Sequence, residues 1–210
     1  MNNDLLYQKL SYMGIQFASI KNIKSKDWLD IENTLHEASL EIANDSSLFS
    51  LLCSWVSVHG DYVIIEKLMK LQKKNNSPWL IAIAICASNL GFHQWKRLIK
   101  KQPQEFALVD KDLALSAIAI KGEEPCFRKS GFLIPKGSLR IRVLDVKTSK
   151  VLVKKNRQFR NRLIFGASWR ADIITAIEMG MKTPYKIAKI LGCSYEPAHR
   201  IFKEYNLAMS

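Results

Sequence analysis

The sequence predicts a mainly α protein. It would hold a helical N-terminal domain of hairpins or short repeats, a short basic β-hairpin, and a C-terminal group of small helices. Three observations carry this. Apolar helical runs in the first 125 residues end at Gly60, Gly91 and Gly122, 31 residues apart in both intervals. Residues 138–155 alternate apolar and polar side chains. Net charge is confined to the C-terminal part. Residues 126–210 carry 18 Lys and Arg against 5 Asp and Glu, whereas residues 1–125 carry 14 against 14.

The 210 residues, 48% hydrophobic, are enough for a real core in one domain or two small ones. Cys53, Cys86, Cys126 and Cys193 form no CxxC pair and stand at no zinc-ligand spacing with the histidines. Reduced thiols are therefore expected, with no metal and no cofactor. The opening MNNDLLYQKL lacks the basic and apolar regions of a secretory signal. The longest apolar run, Trp79 to Ala87, is far shorter than the roughly 20 residues that span a bilayer. A cytoplasmic protein without a membrane partner is expected.

Within the N-terminal domain, 1–125, residues 1–24 predict an irregular helix. Residues 26–44 predict another, opening at Ser25 or Asp27, with Trp28, Ile31, Leu35 and Ala38 on its apolar face. The segments 51–60, 82–91 and 115–122 each read as a helix closed by glycine in a left-handed C-cap. Return helices are predicted over 61–74 and 92–102, with Lys and Arg near their ends suiting the helix dipole. A short helical-repeat array and an ordinary bundle of hairpins both fit.

No catalytic constellation stands out in this half. His36, His59 and His93 are isolated, Asp110 and Asp112 mark a helix start, and Glu123 and Glu124 mark a turn. An enzyme is not expected. A neutral helical layer is most simply an interaction or oligomerisation module.

Residues 126–165 predict a basic β-hairpin and linker. Leu139, Ile141 and Val143 would face a core, with Arg140 and Arg142 on the other face, a turn at 147–150, and a return strand ending at Lys154 and Lys155. Arg157, Arg160 and Arg162 follow at once, so this stretch is expected to contact phosphates rather than serve as a solvated face.

Residues 166–210 predict three helices. The first runs from Ser168 to Met179 and ends at Gly180. The second opens at Thr183 and Pro184 and stops at Gly192. The third starts after Ser194. This stretch resembles the helix-turn-helix of bacterial transcription regulators. Ala188 stands where the two motif helices cross, Gly192 stands at the turn, and Ile187, Leu191, Ala198 and Ile201 fill the positions buried between them.

The resemblance implies a DNA-binding face with Ser194, Tyr195, Glu196, His199, Arg200 and Lys203 toward the major groove. Thr183, Tyr185 and Lys186 would lie near the backbone. Winged members of the group add a hairpin after the third helix. Either this chain has no wing, or the ribbon at 139–155 takes its place. The run RNRLIFGASWRADIITAI also looks like the segment that precedes the helix-turn-helix in proteins encoded beside nucleotidyltransferase-like toxins. That likeness implies an antitoxin that represses its own operon.

The expected function is a sequence-specific regulator of double-stranded DNA acting as a homo-oligomer, with a protein partner on the N-terminal domain as a further expectation. The alternatives are an RNA-binding protein using the same basic surface, and an antitoxin that neutralises a partner enzyme by contact alone.

Overall fold

The structure, a computed structural model, describes residues 3–17 and 29–209. It is mainly helical, with one small parallel sheet of two strands among the described residues. The chain forms two compact units. The first takes its described residues from 3–17, 31–60 and 65–147, and the second from 29–30, 61–64 and 148–209. The second unit therefore draws two short stretches from the N-terminal half beside the run that follows Lys147.

The first unit contains α1 (Asn3–Tyr12), α2 (Ile31–Glu41), α3 (Ser47–His59), α4 (Ile65–Lys74), α5 (Pro78–Asn89), β1 (Phe106–Ala107), α6 (Lys111–Lys121) and β2 (Phe132–Leu133). Its centre is α5, with every side chain from Trp79 to Ala87 buried. Such a helix has no solvent face and must be wrapped by others. Its start is fixed locally, because Ser77 Oγ accepts from the Leu80 amide at 3.3 Å and Pro78 occupies the first turn. Phe49, Trp79, Phe127 and Phe132 pack ring to ring beside it. Trp55 Nε1 donates to the Met13 carbonyl at 2.9 Å, satisfying a polar atom inside this core.

The three glycine-ended segments are helical, yet they are not equivalent. Gly91 and Gly122 have positive φ, though Gly122 with ψ 170 does not take the left-handed helical conformation expected of it, and Gly60 has φ −56 and continues in helical conformation. Its lack of a side chain serves another need: a Cβ there would stand 2.8 Å from the Phe92 ring. The return segments differ too. Residues 65–74 form α4, whereas the second return is only a 3-10 turn over His93–Leu98. That turn is drawn in by two bonds to the Gly60 carbonyl, from Trp95 Nε1 (3.1 Å) and Gln94 Nε2 (3.2 Å). The expected helix over 26–44 is observed as Ile31–Glu41, with Ile31, Leu35 and Ala38 buried. The openings expected at Ser25 or Asp27, and Trp28, lie outside the described residues.

The hairpin expected over 139–155 is not formed. The amides of Arg140 and Arg142 donate to Ser50 Oγ (3.2 Å) and Ser54 Oγ (2.9 Å) on α3, so helix side chains take the bonds a strand partner would have taken. The expected return strand is instead helix α7 (Ser149–Lys155). The alternating pattern was real, but it did not determine which groups would satisfy the backbone.

The second unit contains α7, α8 (Arg157–Phe165), α9 (Trp169–Glu178), α10 (Pro184–Leu191) and α11 (Tyr195–Met209). Asn156 caps α8 by accepting from the Gln158 and Phe159 amides. Ser168 caps α9 through the Ala171 amide. Among the described residues no strand lies in this unit, so the hairpin at 139–155 supplies no wing.

Candidate nucleic-acid interface

The three C-terminal helices are held by one apolar cluster. Ile173, Ile174 and Ala176 of α9, Ile187, Ala188 and Leu191 of α10, and Ala198 and Ile201 of α11 are buried together. Trp169, Phe202 and Tyr205 pack at its margin. Between α10 and α11 the chain reverses at Gly192, with φ 70 and ψ 24. The Gly192 and Cys193 amides both return to the Ala188 carbonyl, at 2.9 and 3.2 Å. A left-handed residue closing a helix in this way is where glycine costs least.

Burial of Ala198 and Ile201 fixes the rotation of α11. Glu196, His199, Arg200 and Lys203 recur at intervals of three and four residues, so they share the opposite, exposed face. Tyr195 is exposed and its ring stacks on His199, with centroids 5.6 Å apart and planes at 27°. Ser194 is exposed just before the helix. Glu204 lies beside this face, and its carboxylate pairs with Arg170 of α9 at 3.1 Å.

On α10, burial of Ile187, Ala188 and Leu191 turns Tyr185 and Lys186 outward. Thr183 is exposed and holds the N-cap backbone conformation, but its hydroxyl makes no capping bond. Two exposed lysines escaped the sequence reading. Lys189 stands three residues after Lys186 on the same side of α10, and Lys182 lies just ahead of the helix. For Lys189 that spacing was the signal that could have found it.

The arginines ahead of α9 divide. Arg162 was expected to contact phosphate, but it is buried at 2% exposure. Its Nε and Nη2 bond the two oxygens of Asp172 at 2.8 and 2.7 Å, and its Nη1 bonds the Tyr62 carbonyl at 2.5 Å. Gln158 joins this network with its nitrogen on the Leu29 carbonyl (2.7 Å) and its oxygen on the Arg162 guanidinium (3.1 Å). A guanidinium this enclosed is a core element and reaches no ligand. Arg157 Nη1 donates to the Glu178 carbonyl at 2.5 Å, placing a cation on the C-terminal turn of α9. Arg160 pairs with the Glu178 carboxylate at 3.1 Å. Lys154 and Lys155 are exposed at the end of α7. Arg140 and Arg142 are exposed as well, but they belong to the first unit.

Among the described residues, no group of three or more His, Cys, Asp or Glu side chains converges to hold a metal ion. All four cysteines are free thiols. Burial pushes the Cys53 thiol up, with Cys86 hydrogen-bonded beside it, and burial pushes Cys126 up to about 11. These groups stay protonated and weakly nucleophilic near neutral pH. His59 is buried against the Lys147 carbonyl, 2.8 Å from Nε2, and burial lowers it to about 4. Among the described residues no helix is long and apolar enough to cross a membrane.

No family model matches this chain, and neither a curated protein nor a solved structure matches it significantly.

Proposed function

We propose that the protein is a sequence-specific regulator of double-stranded DNA, with α10 and α11 as a helix-turn-helix and α11 as the reading helix. The observation that carries this reading is the outward face of α11, with Glu196, His199, Arg200 and Lys203 turned away from the cluster around Ala198 and Ile201. The left-handed turn at Gly192 and the lysines at 182, 186 and 189 support it.

In this proposal the first turns of α11 enter a major groove. Arg200 forks onto a guanine edge, and Glu196 accepts from a cytosine amine. Tyr195, steadied by its stack on His199, touches a thymine methyl or a phosphate. Thr183, Tyr185 and the α10 lysines hold the adjoining backbone. The phosphate contacts supply most of the affinity, while each base contact contributes about 1–3 kcal/mol of discrimination. Two copies on a two-fold site would supply the rest. Repression of its own promoter is part of the proposal, so the upstream region of its own gene is the first duplex to test.

The test is fluorescence anisotropy with that duplex and a scrambled one, at low and physiological salt. Preference for the first that survives added salt is the expected result. Equal, salt-sensitive binding to both would overturn sequence reading. Tighter binding to a structured RNA than to either duplex would move the proposal to RNA.

A further inference from the structure

The N-terminal half is neutral in sum but not in arrangement. Residues 65–101 carry 8 Lys and Arg against the single acid Glu66, while the acidic residues of this half lie before and after that stretch. The fold brings the two lysine-bearing segments of this band onto neighbouring elements. Helix α4 packs against the 3-10 turn at His93–Leu98, and Glu66 of α4 pairs with Arg97 of the turn. Inside, Trp95 and Leu98 are buried and Trp95 is tied to the Gly60 carbonyl, so this part of the segment cannot swing away. Outside, Lys73 and Lys74 end α4, Lys96 lies within the turn, and Lys100 and Lys101 follow it, all exposed. Glu66 is already engaged by Arg97, so no other carboxylate within 65–101 offsets these lysines.

We propose that Lys73, Lys74, Lys96, Lys100 and Lys101 form a second nucleic-acid surface, which grips the phosphate backbone of duplex DNA without regard to sequence. Seven residues of helix from Glu66 to Lys73 cover about 10 Å, enough to separate contacts to different phosphates. Lysine suits this task. It is a compact charge on a flexible stem that meets a phosphate without demanding the fixed fork of a base contact. The exposed amides of Asn75 and Asn76 and the His93 ring sit at the edges of the band and add hydrogen-bonding groups for phosphate or sugar oxygens. The surface lies wholly in the first unit and shares no residue with α11.

The inference rests on the protein being a nucleic-acid binder, but its test is separable from base reading by α11. The full-length chain would be compared with the variant Lys73→Ala, Lys74→Ala, Lys100→Ala, Lys101→Ala on a scrambled duplex over a salt series. These side chains are exposed, so the fold, followed by circular dichroism and thermal melting, should not change. The slope of log affinity against log salt should fall by about 3–4, since four phosphate contacts are lost and each removes about 0.9. Any ratio of affinities between the native and scrambled duplexes should stay the same. Arg200→Ala should do the reverse, lowering that ratio and leaving the slope. An unchanged slope in the four-lysine variant overturns the inference. So does an unchanged slope accompanied by loss of binding to an acidic protein, which would assign the band to that partner. If the wild type does not discriminate between duplexes, reading by α11 fails while the slope still decides the band.

Discussion

Asp172 receives two parallel hydrogen bonds from Arg162, Nε to Oδ1 at 2.8 Å and Nη2 to Oδ2 at 2.7 Å, and neither side chain is exposed. Removing one partner would strand a buried charge, which costs about 3–5 kcal/mol. Asp172→Ala and Arg162→Ala should each lower the denaturation midpoint sharply. Arg162→Met with Asp172→Leu should recover much of the loss. Arg160→Ala, which breaks only a half-exposed pair, should cost less than about 1 kcal/mol. Equal effects at 160 and 162 would contradict this division.

Gly192 and Gly60 should both resist substitution, for different reasons. At Gly192 there is open space for a side chain but φ is 70, so Gly192→Ala should cost about 1–2 kcal/mol from backbone conformation. Gly192→Asn should cost less, because asparagine tolerates this region. A melt in which Asn and Ala are equally harmful would argue against a conformational origin.

At Gly60 the backbone suits any residue, but a Cβ would stand 2.8 Å from the Phe92 ring. Gly60→Ala should cost about 1–3 kcal/mol through overpacking. The cost should shrink when Phe92 is also cut back to alanine, which removes the ring atoms a Cβ would meet. A double-mutant cycle reads this directly, and strict additivity would refute the contact as the cause.

Buried His59 should make stability depend on pH. Its folded value of about 4 lies below the ordinary 6.5, so between these values the unfolded chain holds a proton that the folded chain does not. Stability is therefore fully present above about pH 6.5, falls as pH drops, and has lost about 3 kcal/mol by about pH 4. Urea denaturation at about pH 7 and about pH 4.5 should show this loss. His59→Gln should flatten it, and an equally steep loss in that variant would place its origin elsewhere.

Within the proposed DNA contact, Arg200 and Lys186 should fail in different ways. Arg200→Ala should reduce preference for the native duplex by about tenfold or more, the loss of one forked base contact. Lys186→Ala should weaken both duplexes alike and lower the salt slope by about 1. Anisotropy titrations on the two duplexes distinguish these patterns, and identical behaviour would remove the assigned roles.

The C-terminal helices were the most legible part of the chain, because local chemistry decided them. Ser168, Pro184 and Gly192 punctuate the helices, and Ile187, Leu191, Ala198 and Ile201 keep helical period up to the turn. Residues 138–155 were misread because alternation records which side chains are apolar, while Ser50 and Ser54, some 90 residues upstream, decided where the backbone bonds went. Arg162 was misread for a similar reason. Its neighbours in sequence are cationic and exposed, and only the distant Tyr62 carbonyl and Asp172 make it a core residue. The basic band at 65–101 was hidden by summing charge over 125 residues.

The bond from Arg162 to the Tyr62 carbonyl spans 100 positions of chain, within a unit assembled from separated stretches. During synthesis the residues around Tyr62 emerge long before α8 and α9 exist. At about 5–20 residues per second they wait several seconds for their guanidinium. A fragment starting at Thr148 would carry every residue assigned to base reading, yet it would lack the acceptor that anchors Arg162. The C-terminal helical unit is therefore a late product of the whole polypeptide rather than a detachable tail.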